Sequence, residues 1–328
     1  MQLTIAVCTR NRPAQIRRCL EHLARADCSA VHEILVIDQS DTPLRPADLP
    51  QLEQLRLVPT ASRGLSRARN LAVRLMRGTA IAFTDDDCYV DRQWPAAIAR
   101  TMADDPQLDA LFGRVLAYGT AEQITHHHVR TPFGVITYAS HTDGRQCSGL
   151  IDAAQPAIYT TPVPPFEHLG AGNNMTFHRR VFEQHGLFIE MLGVGSTLRS
   201  GEDTEMQLRL LRAGCRLRYD PAATIFHDGW VTAEQNMRLQ NGYACGVLAV
   251  LLRFALRGDP LARMLLHFRF RSIEQEISTS VQQAAERKPL SYYRERFVAL
   301  VSGALGGVYL AQRADSAIPH LNSTQHLS

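Results

Sequence analysis

Short β-branched runs alternate with helical spacings of apolar residues over the first hundred residues of the chain. The runs that predict strands lie at 3–9, 33–40, 55–60 and 81–85. Between them, apolar residues recur at helical spacing after Pro13 and again from Leu65, which predicts helices there. This alternation is typical of βαβ units and predicts an α/β fold with a mostly parallel, Rossmann-like sheet and flanking helices. The carboxyl ends of the strands are then the expected edge for ligand binding.

The periodic pattern weakens between residues 120 and 169, a stretch that contains several prolines and the run His126, His127 and His128. We expect a long connection or insertion here, stranded in part at 133–138. Three consecutive histidines cannot all face one ion in regular structure, so a solvated loop is favoured over a metal site. The elements expected further on are a Gly- and Ser-rich mobile segment at 193–201, a helix that begins near Glu202 and stops at Gly214, and two short strands at 216–219 and 224–227.

Beyond Thr232 the pattern is almost entirely helical. It predicts helices at 233–256, 260–285 and 292–312, and a disordered tail at 314–328. Between Arg253 and Arg271 there are five arginines and one acid, interleaved with apolar residues. Two interpretations stay open for this stretch: a basic amphipathic surface on an anionic membrane, or packing against the rest of the chain or a second subunit. Packing is favoured, because apolar stripes at helical spacing are usually core.

Composition and charge narrow the class of protein. The chain has 328 residues, 45% of them hydrophobic, with 35 basic and 32 acidic side chains and a net charge of +3. These values exclude a disordered or fibrous protein and argue against a dedicated nucleic-acid binder. The seven cysteines form no CxxC pair, and the longest apolar run, 244–252, is about half of a membrane span. With no secretory pattern at the N-terminus, we expect a cytoplasmic protein that does not cross a bilayer by itself.

An acidic triplet follows the fourth predicted strand. Asp85, Asp86 and Asp87 are adjacent, and three neighbouring carboxylates repel one another unless a cation or solvent compensates them. Mg²⁺ and Mn²⁺ prefer such oxygen ligands, often together with substrate phosphates. The pattern therefore favours a divalent cation site over a solvated acidic turn.

Two further groups of polar residues accompany the early strands. Asp38 ends the second strand, where its carboxylate either accepts hydrogen bonds from a nucleotide or closes an Asx turn. Arg63 and Arg69 belong to an arginine-rich stretch, 56–77, that contains no carboxylate. Arginines beside a helix N-terminus suit a diphosphate, but a solvated helix face explains them equally well.

The later part of the chain adds two candidates for acid–base or metal chemistry. Glu202 and Asp203 open a helix after the Gly-rich segment, where a carboxylate aimed into a cleft can act as a general base. The alternative is favourable pairing with the helix dipole. His227 ends the last predicted strand. Three roles are open for it: a metal ligand, a base or a structural core histidine.

Taken in order, these segments resemble glycosyltransferase family 2, the inverting nucleotide-sugar transferases with the GT-A fold. The resemblance covers residues 3–230 apart from much of 120–169. It is carried by VCTRNRP, VIDQSD, SRGLSRARN, FTDDDCYVD, GAGNNMTFHRRVF, GEDTEMQLRLLRAG and YDPAATIFHDGW.

The resemblance implies roles for the candidate residues. On the donor side these are Thr9, Arg10 and Arg12 around the nucleotide, Asp38 at the base, Arg63 and Arg69 near the donor, and Asp85 or Asp86 near the ribose. Asp87 is implied as the metal ligand, His227 as a further metal or diphosphate contact, and Asp203, beside Glu202, as the catalytic base. The implied cofactor is Mg²⁺ or Mn²⁺, and the implied donor is a nucleoside-diphosphate sugar.

These inferences predict a catalytic domain of GT-A type at 1–232, with a nucleotide-sugar half to about 116, an insertion at 120–169 and an acceptor half at 170–232. A helical extension follows at 233–313. The predicted activity is metal-dependent, inverting transfer of a sugar to an acceptor hydroxyl on a glycan, a lipid-linked molecule or a small molecule. A contact of the extension with the inner membrane face and a homodimer both remain open.

Two rival functions are weighed against this prediction. One is a non-catalytic nucleotide-sugar-binding or scaffold subunit, which has no chemical need for both the aspartate triplet and the GEDTE run. The other is a nucleotidyltransferase, but the loop after the first strand is TRNRP and lacks the Gly-rich, Lys-bearing pattern of a phosphate loop.

Overall fold

A mixed sheet of nine strands lies at the centre of the molecule. The structure is a computed structural model that describes residues 1–131, 134–161, 169–282, 290–313 and 318–321. The strands are β1 Leu3–Thr9, β2 Val31–Asp38, β3 Leu55–Pro59, β4 Ala80–Asp85, β5 Cys88–Val90, β6 Ala110–Ala117, β7 Ile124–Thr131, β8 Gly134–His141, β9 Gln146–Leu150, β10 Ala157–Tyr159, β11 Asn174–His178 and β12 Leu217–His227. The helices are α1 Pro13–Leu23, α2 Leu65–Leu75, α3 Trp94–Asp104, α4 Arg179–His185, α5 Glu202–Arg212, α6 Ala233–Leu256, α7 Pro260–Gln282 and α8 Leu290–Gln312.

The main sheet runs in the order β10-β12-β6-β11-β4-β1-β2-β3, with β5 paired to β12. β3, β2, β1 and β4 are parallel, and β11 joins β4 to β6 in the antiparallel sense. The α/β fold class and the strands expected in the first hundred residues are therefore confirmed. The two short strands expected after residue 215 are instead one strand, β12, whose register shifts between Asp220 and Thr224 because Pro221 interrupts the ladder.

Helices cover both faces of this sheet, and the central strands β1 and β4 are accordingly buried along almost their whole length. On one face α1 and α3 bury Leu20 and Trp94 against the strands. On the other face α2, α4 and α5 enclose a cluster built around Phe83, Phe177 and Phe188. The helices packed on both faces thus fix the positions of the strand ends between them.

The stretch expected as an insertion or loop forms a second sheet of three antiparallel strands, β7, β8 and β9. His126 to His128 lie on β7, so the solvated loop expected for them is wrong. The His127 ring stacks on Tyr138 at 4.7 Å and hydrogen-bonds to Ser140 at 3.0 Å. Residues 132–133 and 162–168 lie outside the described residues, including the first residue of the strand expected at 133–138.

The expected C-terminal helices are present as α6, α7 and α8, with residues 283–285 outside the described part. α6 packs along α8 and on α7. Within the described residues α6 is the one helix long and apolar enough to cross a membrane, and just over half of its most apolar stretch is buried inside the protein. Leu265 and Leu266 of α7 are buried in the core, as the packing interpretation predicts.

Two further contacts connect the C-terminal part of the chain to the rest of the molecule. Arg253 on α6 is buried and forms an ion pair with the buried Glu205 of α5. Of the tail expected at 314–328, residues 318–321 are described, and Pro319 accepts a hydrogen bond from the backbone N–H of Leu187 at 2.8 Å.

Candidate active site

A cleft of about 680 Å³ opens at the carboxyl ends of β1 and β4. Its walls come from the start of α2, the 193–201 segment, the start of α5, the end of β12, part of β9 and one side of α6. Ten of the twelve candidate residues line it: Thr9, Arg10, Arg12, Arg69, Asp85, Asp86, Asp87, Glu202, Asp203 and His227.

The aspartate triplet is already partly neutralised by the loop after β1. Arg12 donates to Asp86 at 2.6 Å and to Asp87 at 2.9 Å, while the Thr9 hydroxyl donates to Asp86 at 2.7 Å. Burial, opposed by Arg12 and reinforced by the charge of Asp87, raises the pKa of Asp86 to about 7. Asp86 is thus a buried anchor for the loop, and the more exposed Asp87 is the better placed of the two to meet a ligand.

Arg69 is a buried cation at the base of the cleft, with 2% of its side chain exposed. It donates to Glu202 at 2.8 Å, to Asp85 at 3.2 Å and to the carbonyl of Gly172 at 2.8 Å. Burial and the neighbouring Asp203 raise the pKa of Glu202 to about 7, although Arg69 opposes this. Arg69 therefore connects the end of β4 with the start of α5, and Glu202 lines the cleft with its carboxylate already paired to Arg69.

Asp203 lies one residue further along the first turn of α5. Its carboxylate accepts backbone N–H groups from Gly172 at 2.9 Å and from Thr204 at 2.7 Å, and it forms no ion pair within the described residues. The preceding Gly201 has φ +88°, a left-handed conformation that glycine adopts without strain. A Cβ at Gly201 would also lie 3.0 Å from the carbonyl carbon of Gly246 on α6. The turn and the close helix together aim Asp203 into the cleft.

The 193–201 segment that leads to this turn is tied to its surroundings. The backbone N–H of Leu65 donates to Val194 at 2.9 Å, and the Ser200 hydroxyl donates to the carbonyl of Gly242 at 3.0 Å. These bonds connect the segment both to the start of α2 and to α6.

His227 brings a nitrogen ligand to the same edge of the sheet. Its Nε2 lies 3.8 Å from Asp87, and its Nδ1 lies 3.6 Å from the thiol of Cys147 on β9. Burial alone lowers the pKa of His227, but the contact with Cys147 and the charge of Asp87 outweigh it and raise the pKa to about 9.

Asp87, Cys88 and His227 each offer a ligand atom within 4.8 Å of the others. Burial keeps the pKa of the Cys88 thiol well above its usual value, so it remains protonated. A carboxylate and an imidazole remain, and His227 would have to release its proton when a cation binds. The pair then offers one oxygen and one nitrogen ligand to a divalent cation supplemented by phosphate oxygens.

Two predicted donor-binding residues lie outside the cleft lining. Both oxygens of Asp38 accept backbone N–H groups from its own loop, Ser40 at 2.9 Å and Leu44 at 2.7 Å, which is the Asx-turn alternative. Arg63 pairs with Asp41 and donates to the carbonyl of Gln39. These contacts favour a role in bracing the loops beside the cleft.

The cleft also contains residues that the sequence did not single out. Asn173 has a buried amide oxygen without a hydrogen-bond partner in the described residues. Trp230 and Tyr243 add aromatic surface, and Cys147 contacts His227. Asn173 lies within the GAGNN run and was detectable there. Tyr243 reaches the cleft only because α6 packs across it, which no local pattern reveals.

The sheet order and the cleft with its carboxylates define a protein of the GT-A fold. Two solved structures share this fold. S. aureus TarS 1-349 superposes with a TM-score of 0.57 at 15% identity, over 97% of this chain and 83% of that one. The mannosyltransferase PcManGT of Pyrobaculum calidifontis, in complex with GDP-Man and Mn²⁺, superposes with a TM-score of 0.55 at 17% identity, over 94% of this chain and 87% of that one.

The sequence comparison concerns the first part of the chain. Residues 4–156, slightly less than half of the chain, match glycosyl transferase family 2, and the resemblance is confirmed over that part. An uncharacterized glycosyltransferase of Bacillus subtilis (strain 168), EpsJ, is 36% identical over 80 residues, which span 23% of this chain and 23% of that relative.

Proposed function

We propose that this protein is a metal-dependent inverting glycosyltransferase that moves a sugar from a nucleoside-diphosphate donor to an acceptor hydroxyl. The observation that carries the proposal is the presence in one cleft of Asp87 with His227 and of Asp203, a carboxylate that, among the described residues, is bonded only to backbone N–H and hydroxyl groups. The family match and the nucleotide-sugar and Mn²⁺ named for the PcManGT complex support it.

The residues of β1 and β4 suit the donor side of this reaction. Arg12 presents a half-exposed guanidinium at the cleft, and Arg10 lines the same wall. Guanidinium groups hold phosphate oxygens through paired hydrogen bonds. We assign these arginines, with Thr9 and the triplet, to the nucleoside diphosphate.

Asp87 and His227 would hold the divalent cation. Such a cation supplies a Lewis acid that stabilises the charge on the departing diphosphate. Arg12 would then share or leave Asp87, since the carboxylate is bonded to it in this structure.

Asp203 would take the proton of the acceptor hydroxyl as that oxygen attacks the anomeric carbon. One C–O bond forms, the bond to the diphosphate oxygen breaks on the opposite face, and the configuration inverts. The N–H groups of Gly172 and Thr204 fix the carboxylate while leaving it lone pairs for the proton. Leu239, Tyr243 and Trp230 form the wall on which the acceptor would lie.

The proposed catalytic unit is the predicted domain 1–232, with the extension 233–313 as a supporting part. α6 contributes Leu239 and Tyr243 to the cleft, so the extension belongs to the site. Residues 1–232 alone therefore do not make up the whole proposed site, and the extension is not dispensable.

The test is a panel of UDP- and GDP-sugars incubated with purified protein and candidate hydroxyl acceptors in Mn²⁺ or in EDTA. We expect metal-dependent release of nucleoside diphosphate, and a product whose anomeric configuration, read by NMR, is opposite to that of the donor. Pyrophosphate release from a sugar phosphate and nucleoside triphosphate would instead identify a nucleotidyltransferase. Donor binding without turnover would identify a non-catalytic subunit.

A further inference from the structure

Helix α8 presents large apolar side chains to the outside of the molecule. Every exposed residue between 297 and 309 is apolar, and these residues are Phe297, Val298, Val301, Leu305, Val308 and Tyr309. Phe297 and Leu305 are each 68% exposed. At about 100° per residue the six lie within an arc of about 120°, in a stripe about 18 Å long. We call this stripe the α8 face.

The opposite side of α8 consists mostly of small residues, with Leu310 buried beside them. Gly303 and Gly307 lie so close to α6 that a Cβ on either would come within 2.9 Å of backbone or side-chain atoms there. Ala299 and Gly306 are buried on the same side. A helix of a water-soluble protein normally turns its large apolar residues inward, whereas between 297 and 309 this helix turns most of them outward. Small residues between helices and large apolar residues outside are typical of helices in contact with lipid.

Charge at the two ends of the α8 face identifies the partner. Arg294 lies at one end of the stripe and Arg313 at the other, both exposed, and no charged residue occurs from 297 to 311. The exposed Glu295 adjoins Arg294, so the two ends together carry an excess of positive charge, and pairing of two copies through this face is an outcome that the test below distinguishes. An anionic lipid surface fits both the apolar stripe and the arginines at its ends. The stripe enters the acyl boundary, and the arginines meet the headgroups.

We propose that the α8 face docks the protein on an anionic lipid surface. This surface differs from the stretch between Arg253 and Arg271 that the sequence suggested, where Arg253, Leu265 and Leu266 are buried. The inference does not depend on the proposed enzymatic activity, because it rests only on the shape and charge of α8.

The test is co-sedimentation of the full chain with vesicles of phosphatidylcholine, with and without phosphatidylglycerol. We expect wild-type protein to bind the anionic vesicles. Leu305→Glu should reduce the partition at least tenfold, because it places a charge in the acyl boundary. The control Ile158→Glu changes an apolar residue on β10 that is 47% exposed and lies outside the α8 face, and this variant should bind like wild type.

A second variant separates charge from apolar contact. Arg294→Gln with Arg313→Gln should weaken binding to anionic vesicles by about fivefold per arginine at low ionic strength and leave weak binding to neutral vesicles unchanged. Circular dichroism verifies folding of each variant, and Phe297→Gln replaces Leu305→Glu if the latter does not fold.

Two results would overturn the proposal. The first is wild-type protein that does not bind anionic vesicles, or that binds them equally well with Leu305→Glu. The second is a dimer in light scattering that Leu305→Glu dissociates without vesicle binding by the wild type, which would assign the face to a second copy of the chain.

Discussion

Removing the buried cation at the base of the cleft is expected to destabilise the fold strongly. Arg69→Met keeps the length of the side chain but leaves Glu202 and Asp85 without their shared partner. Breaking a buried ion pair by removing one member costs about 3–5 kcal/mol, because a charge remains buried and uncompensated. We expect a loss of that size in the free energy of unfolding at pH 8.

The loss should depend on pH in a defined direction. The pKa of Glu202 is raised to about 7, so its contribution to stability is greatest below its usual value of 4.5 and falls as pH rises through about 7. Without Arg69 the pKa of Glu202 rises further, so the Glu202 carboxyl of the variant is neutral at pH 5. The destabilisation at pH 5 should therefore be clearly smaller than at pH 8.

Urea unfolding followed by circular dichroism at both values of pH measures this difference. Arg67→Met is the matched control, since Arg67 lies on the same helix and forms a surface ion pair with Glu190 at 3.0 Å. Such a pair contributes about 1 kcal/mol or less. A loss below about 1 kcal/mol for Arg69→Met at pH 8, or an equal loss at both pH values, would refute the reasoning.

Two further predictions concern the metal site and the turn before α5. Asp87→Ala should abolish the gain in affinity for UDP or GDP that Mn²⁺ gives, measured by calorimetry in Mn²⁺ and in EDTA; equal wild-type affinities with and without metal would count against the site. Gly201→Ala should lower the thermal midpoint more than Gly214→Ala does. Both residues have positive φ, but a Cβ at Gly201 meets α6 whereas one at Gly214 meets open space, so the former should cost about 1–3 kcal/mol and the latter about 1. Equal losses would show that α6 does not constrain this turn.

The sequence predicts the part of the cleft at the ends of β1 and β4 because that part follows from local pattern. β1 and β4 are adjacent parallel strands, so the residues just after them, Arg12 and Asp86, meet without any further information. Asp203 and His227 are also predicted from the sequence, because each lies at the end of an element that the periodicity predicts.

The other side of the cleft depends on long-range packing. β7 and β8 interrupt their β-branched residues with His126 to His128 and other polar side chains, so the strand signal is weak there, and their register follows from pairing with one another. Cys147 reaches His227 because that small sheet bridges to Val231, and Tyr243 reaches the cleft because Gly246 lets α6 approach Ser200. The role of Asp38 at the base stays a prediction; in this structure both of its oxygens accept N–H groups from its own loop.

The central claim is that Asp203 is the general base, and one comparison tests it most directly. Asp203→Asn and the control Asp104→Asn, which changes an exposed residue at the end of α3, are assayed for sugar transfer and for binding of UDP and GDP with Mn²⁺. We predict that Asp203→Asn loses about 10²- to 10⁴-fold in transfer rate while nucleotide affinity stays within about twofold of wild type, and that Asp104→Asn changes neither. Transfer by Asp203→Asn at the wild-type rate would contradict the account.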